Sequence, residues 1–272
     1  MIHDEASITF NRKENFLSSG LTESLLLEET TWFDVQNLLK RIKVIIVPTG
    51  SIEQHGPHLP LNTDVVAPYE VSLIVAKKIG TVVAPPLRPG VSAHHLPFPG
   101  TITLKAQTFI ELMKDYSRSL AFHGFDPIVF INGHGGNSSA MSIATSEARN
   151  ELSPTKIIGF NWWDFLPKEL GGALSFQDGF HANQQETSWM LHLRPQHVNM
   201  ERAKREMPVA AESVKLSESF YISSFRTFKD VTQSGIHGDA TKGSAEQGEK
   251  LIEAAAENIV KAIQEILKNP PY

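Results

Sequence analysis

The sequence reads, from residue 44 to residue 64, Val44-Ile-Ile-Val-Pro-Thr-Gly-Ser-Ile-Glu-Gln-His-Gly-Pro-His-Leu-Pro-Leu-Asn-Thr-Asp64. It opens with a short apolar, β-branched run, which is typical of a buried strand in a parallel sheet. Carboxylate and imidazole side chains, the ligands that divalent transition metals prefer, follow this run: Glu53, His55, His58 and Asp64, with Asn62 beside them. Open α/β sheets bind ligands beyond the carboxyl ends of their strands. The stretch therefore predicts a strand with a metal site at its end.

The rest of the chain alternates short apolar runs with segments whose apolar residues recur at helical spacing. We predict strands at 43–47, 81–84, 127–131 and 156–160, and helices at 32–41, 62–79 (after a short loop), 104–123, 138–152, 186–193 and 241–268. This alternation predicts a mostly parallel sheet with helices on both faces, a three-layer α/β/α sandwich. We read residues 1–29 as an N-terminal arm and residues 30–272 as a single domain.

The composition excludes several classes of protein. The 272 residues include 25 basic and 30 acidic side chains, a net charge of -5, which gives no reason to expect a nucleic acid or an anionic membrane as partner. There is no cysteine, so any metal must be held by nitrogen and oxygen ligands. No apolar run approaches the roughly 20 residues that span a bilayer, and the N-terminus lacks the pattern of a signal peptide. We expect a cytoplasmic protein.

Two further clusters of candidate ligands follow later in the chain. His134 lies in Gly133-His-Gly-Gly-Asn137, directly after the third predicted strand, and His181 and Glu186 lie in a loop-rich stretch. Parallel strands end at one edge of the sheet, so the first two clusters are expected to meet there, with the third folded over them.

The spacing inside the first cluster favours a site for two metals. Glu53 and His55 are two residues apart, which in an extended segment points both side chains the same way. Asp64 offers two oxygens and could bridge two ions, which would hold a hydroxide between them.

Each candidate residue also has an interpretation that involves no function. A single loop histidine is more often a surface or turn residue, an isolated Glu53 is more often solvated, and the glycine-rich loop around His134 lacks the Lys-Ser/Thr of a phosphate loop. We read His58 as structural or supporting, His95 as lining the pocket and His94 as a residue without a role. His237 reads as a turn residue before the last helix, with Asp239 as the N-cap of that helix.

Taken together, the motifs resemble the creatininase (creatinine amidohydrolase) family. The matching pieces run in family order over nearly the whole chain: Pro48 to Asp64, Phe98-Pro-Gly-Thr-Ile-Thr103, Asn132-Gly-His-Gly-Gly-Asn137, His181-Ala with Glu186-Thr-Ser188, and Gly238-Asp with Gly248-Glu249. The first is long and specific, and the others are strong as a series.

The resemblance implies an α/β/α sandwich, usually a homohexamer, with two divalent metals (zinc, manganese or iron). It implies that Glu53, His55, Asp64 and His134 are metal ligands, with Asp64 bridging. His181 matches the family's proton-transferring histidine. A segment around Trp163 resembles one that borders the pocket in creatininase, and we place His95, Gln177 and Asp178 in the same pocket.

The chain departs from creatininase itself at several positions. Creatininase carries a glutamate that ligates the second metal where this chain has Gly136, so the resemblance leaves Glu186 as the remaining carboxylate ligand, and we count it with His181 among the catalytic residues. Creatininase also has a tryptophan where this chain has Gln177. Where relatives read His-Ala-Gly-Glu, this chain reads His181-Ala-Asn-Gln184. These differences argue against creatinine as the substrate.

We therefore expect a metal-dependent amidohydrolase that cleaves a cyclic amide or another non-peptide carbon–nitrogen bond of a small molecule with metal-activated water. Alternatives are an enzyme acting on a formamidopyrimidine or on a peptide, and a catalytically silent metal-binding homologue.

Overall fold

The computed structural model describes residues 25–170, 179–207 and 226–268. Its main sheet has four parallel strands in the order β2-β1-β3-β4. The strands are β1 (Ile45–Thr49), β2 (Val82–Val83), β3 (Ile128–Asn132) and β4 (Ile157–Asn161). All four predicted strands are confirmed, with their ends shifted by one or two residues.

Six α-helices are confirmed at the predicted places. They are α1 (Trp32–Leu38), α2 (Thr63–Ile79), α3 (Ala106–Phe122), α4 (Ser138–Glu151), α5 (Gln184–Leu193) and α6 (Ala245–Lys268). The first begins as the sequence indicates, because the Thr31 side chain accepts a hydrogen bond from the Asp34 amide at 3.2 Å.

Strand side chains alternate between two apolar cores, one on each face of the sheet. In β1, Ile46 packs into the core formed with α2, α5 and α6, while Ile45 and Val47 pack into the core formed with α1, α3 and α4. In β3, Val129 and Phe130 divide in the same way. Because both faces are buried, the strands read as continuous apolar runs. The predicted three-layer α/β/α sandwich is confirmed.

The strand order creates a crevice at one edge of the sheet. Helix α2 leads from β1 to its neighbour β2 on one side, and α3 then carries the chain back to β3 on the other side of β1. The loops after β1 and β3 therefore leave in opposite directions from adjacent strands. This is a topological switch point, where open α/β sheets bind ligands.

The described end of the N-terminal arm packs onto the sheet. Leu26 forms a parallel bridge with Val83 of β2, and the Val83 amide donates to the Leu25 carbonyl at 2.8 Å. The boundary drawn at residue 30, and the single domain after it, stay predictions. Among the helices of the described ranges, none combines the length and apolarity needed to cross a membrane.

The segment before α6 differs from the prediction. His237 is fully buried and exchanges backbone hydrogen bonds with His181, at 2.8 and 3.3 Å, so it is not a turn residue. Asp239 belongs to β6 (Gly238–Asp239), which pairs with β5 (Arg205–Glu206). Its side chain caps a short 3-10 helix (Ala240–Lys242) by accepting from the Thr241 amide, and two residues separate that helix from α6, so Asp239 is not the N-cap of α6.

Candidate metal centre

Four of the predicted ligands converge at the switch point. Glu53 and His55 lie in the loop after β1, Asp64 lies in the first turn of α2, and His134 follows β3. All four side chains are buried. The register of the sheet sets their positions, because Thr49 at the end of β1 pairs with Asn132 at the end of β3.

Two groups of ligand atoms share Asp64. In the first group, Nδ1 of His134 lies 2.9 Å from Oδ2 of Asp64 and 3.2 Å from Oε2 of Glu53. In the second, Nε2 of His55 lies 2.9 Å from Oδ1 of Asp64 and 3.7 Å from Oε2 of Glu186. A third group joins Glu53, His55 and His181. The two carboxylate oxygens of Asp64 thus point to different groups, as a bridging ligand requires.

Backbone carbonyls orient the two ligand imidazoles. Nε2 of His134 lies 3.0 Å from the Val91 carbonyl oxygen, and Nδ1 of His55 lies 3.2 Å from the Glu53 carbonyl oxygen. Each contact requires a proton on that nitrogen, so in a neutral ring that binds a metal the other nitrogen offers its lone pair on the side of the carboxylates. A hydrogen bond of this kind is how proteins usually fix the tautomer of a metal-binding histidine.

The residues fit a pair of cations. Oε2 of Glu53 and Oδ2 of Asp64 are buried, and both face Nδ1 of the same imidazole, His134, which can donate a proton to only one of them. Buried carboxylate oxygens ordinarily have a partner. Divalent ions at the two groups would supply one, and the nitrogen and oxygen donors suit zinc, manganese or iron.

The pKa shifts of the site residues also agree with a site for cations. Burial would lower the pKa of His55 and of His134, but the neighbouring carboxylates raise both well above the usual value. Burial would raise the pKa of Asp64, but the two imidazoles hold it well below its usual range. Burial raises the pKa of Glu53 to about 7. The buried carboxylates thus favour positive charge on their neighbours, as they would favour bound cations.

Glu186 reaches the site from the first turn of α5. The Asn183 side chain caps that helix by accepting from the Glu186 amide at 3.0 Å. The Ala182 amide, in a residue with φ of 49°, donates to Oε2 of Glu186. The carboxylate is therefore held by the backbone of its own loop before any ion binds.

His181 and His95 lie beside Glu53, on the side away from His134. Nε2 of His95 is 3.2 Å and Nδ1 of His181 is 3.9 Å from Oε1 of Glu53. Burial lowers the pKa of both histidines well below the usual value, and the other imidazoles add to the effect. Both rings are therefore neutral at physiological pH.

Sequence reasoning missed two residues that contact His95 and His181, and a third, Thr187, that contacts His58. The Gln54 amide touches both His95 and His181, and the ring of Phe228 stacks on His95 at 4.3 Å and packs against His181 at 4.7 Å. Gln54 stands between two predicted ligands, where alternation points a side chain away from them, and the segment around Phe228 carries no readable pattern. No signal in the sequence alone marks these contacts.

The other residues singled out in the sequence lie in different environments. His58 is buried, with Nε2 2.9 Å from the Thr187 hydroxyl on α5. Asn62 precedes α2 without a capping side-chain bond. His94, predicted to have no role, stacks on His134 at 6.0 Å. Trp163 is half-buried and packs against the core of α2, α5 and α6. Gln177 and Asp178 lie outside the described residues, so the pocket stays a prediction.

The loop after β3 is tightly packed at Gly136. A Cβ atom built there would overlap the Val91 carbonyl oxygen and Nε2 of His134. The loop after β3 has no room for a longer side chain in this backbone conformation. Among the described residues, Glu186 is the carboxylate nearest to His55 besides Asp64.

A buried set of histidines and carboxylates that could hold two ions is a donor set used by metal-dependent enzymes, two-metal hydrolases among them. Residues 28–263 match the model of the creatininase family, described as creatinine amidohydrolase. The chain is 29% identical over 262 residues to creatinine amidohydrolase of Pseudomonas putida, covering 90% of this chain and 98% of that protein. It is 33% identical over 222 residues to mycofactocin precursor peptide peptidase of Mycolicibacterium smegmatis, covering 79% and 82%. A solved structure of manganese creatininase superposes with a TM-score of 0.78 at 30% identity, covering 91% of this chain and all of that one.

The chain belongs to the creatininase family. It is a metal-dependent amidohydrolase of that family, as the resemblance in its motifs predicts.

Proposed function

We propose that the protein hydrolyses an amide or related carbon–nitrogen bond of a small molecule, using water activated at a two-metal centre. The observation that carries the proposal is the shared carboxylate of Asp64. Its two oxygens each lie 2.9 Å from a different imidazole, and each imidazole has its other nitrogen against a backbone carbonyl oxygen.

We assign the ligands as two sets. Glu53, Asp64 and His134 would hold one ion, and His55, Asp64 and Glu186 the other. When bound, the ions acidify a water molecule and polarise the carbonyl of the substrate. Manganese is supported by the similarity to a manganese creatininase, and the ligand chemistry suits zinc and iron as well.

The side chains that do not bind metal would move the proton. In the reaction, a bond forms between the water oxygen and the carbonyl carbon, and the carbon–nitrogen bond breaks. His181 is the neutral, buried imidazole beside the ligands, so it is suited to take the water proton and pass it to the leaving nitrogen. Glu186 contributes to catalysis as a ligand held in place by the Ala182 amide.

The substrate is a cyclic amide or another non-peptide amide, and creatinine itself is disfavoured. The loop after β3 has no space for the glutamate that creatininase carries at Gly136, and Gln177 stands in place of a tryptophan. His95, Trp163, Gln177 and Asp178 would line the pocket.

A second candidate is a peptide-processing activity. It is favoured by the 33% identity to a mycofactocin precursor peptide peptidase, against 29% to a creatinine amidohydrolase. A formamidopyrimidine is a further substrate of the same bond type. A catalytically silent homologue is disfavoured, because the ligand set is whole.

Two further proposals come from the family and the composition. We propose a homohexamer, which light scattering would test, and a cytoplasmic location, which suits a chain without cysteine.

The test is metal analysis followed by turnover. Purified protein is stripped with a chelator, reloaded with manganese, zinc or iron(II), and assayed with creatinine, other cyclic amides, formamides and short peptides. We expect close to two ions per chain and turnover of at least one amide that ceases on chelation. Stoichiometric metal without turnover of any of these compounds would favour the silent homologue.

A further inference from the structure

Gln54 occupies the centre of a buried polar group to which no role has been assigned. Its amide nitrogen lies 2.8 Å from Nδ1 of His95, 2.9 Å from Nε2 of His181 and 3.1 Å from the Gly235 carbonyl oxygen. Its amide oxygen accepts from the Gly56 backbone amide at 2.9 Å. The orientation of the side chain is fixed, because exchanging its nitrogen and oxygen would set two acceptors together at Gly235 and two donors together at Gly56.

The protons around this amide can be counted. The amide nitrogen has two hydrogens, and the Gly235 carbonyl takes one because it can only accept. Nε2 of His181 also lies 2.8 Å from the backbone carbonyl oxygen of Gln54, which again can only accept. His181 therefore carries its proton on Nε2 and does not need the second amide hydrogen.

The second amide hydrogen goes to His95. Nδ1 of His95 must then be a lone pair, and in the neutral ring the proton sits on Nε2. That nitrogen lies 3.2 Å from Oε1 of Glu53, which accepts it. In this arrangement both amide hydrogens of Gln54 and both ring N–H groups have an acceptor, and the 2.9 Å contact between the Gln54 amide nitrogen and Nε2 of His181 carries no hydrogen bond.

We infer that Gln54 is a positioning residue, which holds the proton of His95 on Nε2 with its side chain and the proton of His181 on Nε2 with its backbone carbonyl. The Nδ1 lone pair of His181 consequently faces the ligand cluster, 3.9 Å from Oε1 of Glu53. Only the catalytic consequence rests on the proposed function: Nδ1 is the atom of His181 that receives the proton of the attacking water.

Gly235 supports the inference from the opposite side of the amide. It adopts a φ of 86°, and a Cβ atom there would overlap the amide oxygen of Gln54. Only glycine lets the chain between Phe228 and His237 approach closely enough for its carbonyl to accept from Gln54. The same approach brings His237 into its backbone pair with His181.

Long-range proton–nitrogen NMR of the imidazole rings tests the proton positions directly. Spectra of the metal-free protein and of the diamagnetic zinc-loaded protein are recorded, and the two rings are assigned with His95→Gln and His181→Gln. We expect both His95 and His181 to be neutral and protonated on Nε2 in both samples. A proton on Nδ1 of either ring in the wild-type protein overturns the inference.

Gln54→Glu tests whether the side chain sets the tautomer. At alkaline pH the introduced carboxylate has no hydrogen to give, so His95 is expected to gain a proton on Nδ1 while His181, held by the backbone carbonyl, stays protonated on Nε2. Gln107→Glu adds the same charge on the exposed face of α3 and is expected to leave both rings unchanged. An unprotonated Nδ1 of His95 in the folded Gln54→Glu protein contradicts the role of Gln54.

The two proposals fail in different ways. Absence of bound metal or of turnover would remove the proposed function and leave the ring spectra as they are. The wild-type spectra decide the proton positions even where the Gln54→Glu protein does not fold.

Discussion

The candidate metal centre joins two regions that the chain assembles differently. The sheet-edge region, Glu53, His55, Asp64 and His134, follows two adjacent strands whose ladder fixes the loops against each other. The α5 region, His181 and Glu186, comes from far along the chain and is held by side-chain and backbone hydrogen bonds. The ladder sets the positions of the loops in the first region, and backbone carbonyls orient its two imidazoles. The second needs a separate partner for each side chain.

The two regions differ in how much a replacement of their residues would disturb the fold. Replacing a loop that is held by a few hydrogen bonds disturbs the fold less than replacing residues beside a buried parallel sheet. Glu186 reaches His55 from α5, and the loop after β3 has no space for a carboxylate side chain at Gly136. We interpret the α5 region as the adaptable half of the site.

The largest effect is expected from Asp64→Ala, which removes the side chain shared by both ligand groups. Both ions should be lost, and activity should fall by at least about 10³-fold, because metal ions supply several kcal/mol of transition-state stabilisation. Metal content by inductively coupled plasma mass spectrometry and the rate on the substrate found in the screen measure this. Asp115→Ala, at an exposed ion pair on α3, is the control. Full metal content in Asp64→Ala would refute the two-metal site.

The sequence predicts the sheet-edge region better than the α5 region for a physical reason. The features that predict it are local or topological: an apolar strand, a two-residue spacing and a switch point. They are enough to predict that the sheet-edge side chains converge. The backbone pairing of His181 with His237 depends on contacts across more than fifty residues. Reading His237 as a turn residue was wrong, because no local pattern records such a pairing.

Glu186→Gln separates the two regions. The ion held by His55 and Asp64 should then be lost or exchange rapidly, because the amide brings no charge, while the sheet-edge ligands Glu53, Asp64 and His134 keep the other ion. We expect about one tightly bound ion per chain, by metal analysis after dialysis against a weak chelator. Glu147→Gln, at an exposed ion pair on α4, serves as the control. Loss of both ions would show that the sheet-edge region cannot hold metal alone.

Gly136→Ala tests the packing of the sheet-edge region. The new methyl group would press on the Val91 carbonyl and the His134 ring, so we expect destabilisation by about 2 kcal/mol, typical of overpacking. The midpoint of urea unfolding should fall with an unchanged m-value.

Gly135→Ala is a matched control, because a Cβ atom there meets nothing within 4 Å and the backbone φ is not positive. Its stability should equal that of the wild type. Equal stability of the two alanine variants would show that the loop after β3 has room for a side chain, and would remove the steric reason for recruiting Glu186.

Thr187→Val is expected to have the smallest effect and tests how the α5 region is anchored. The Thr187 hydroxyl donates to the Asn183 carbonyl at 2.7 Å and lies 2.9 Å from Nε2 of His58, joining α5 to the loop after β1. Valine keeps the shape and removes both hydrogen bonds, which should lower the free energy of unfolding by about 1 kcal/mol. Thr145→Val, whose hydroxyl donates only within α4, should change stability by less than about 0.5 kcal/mol. If the two variants unfold at the same urea concentration, the bond to His58 does not anchor α5, and the position of Glu186 is set by its own loop alone.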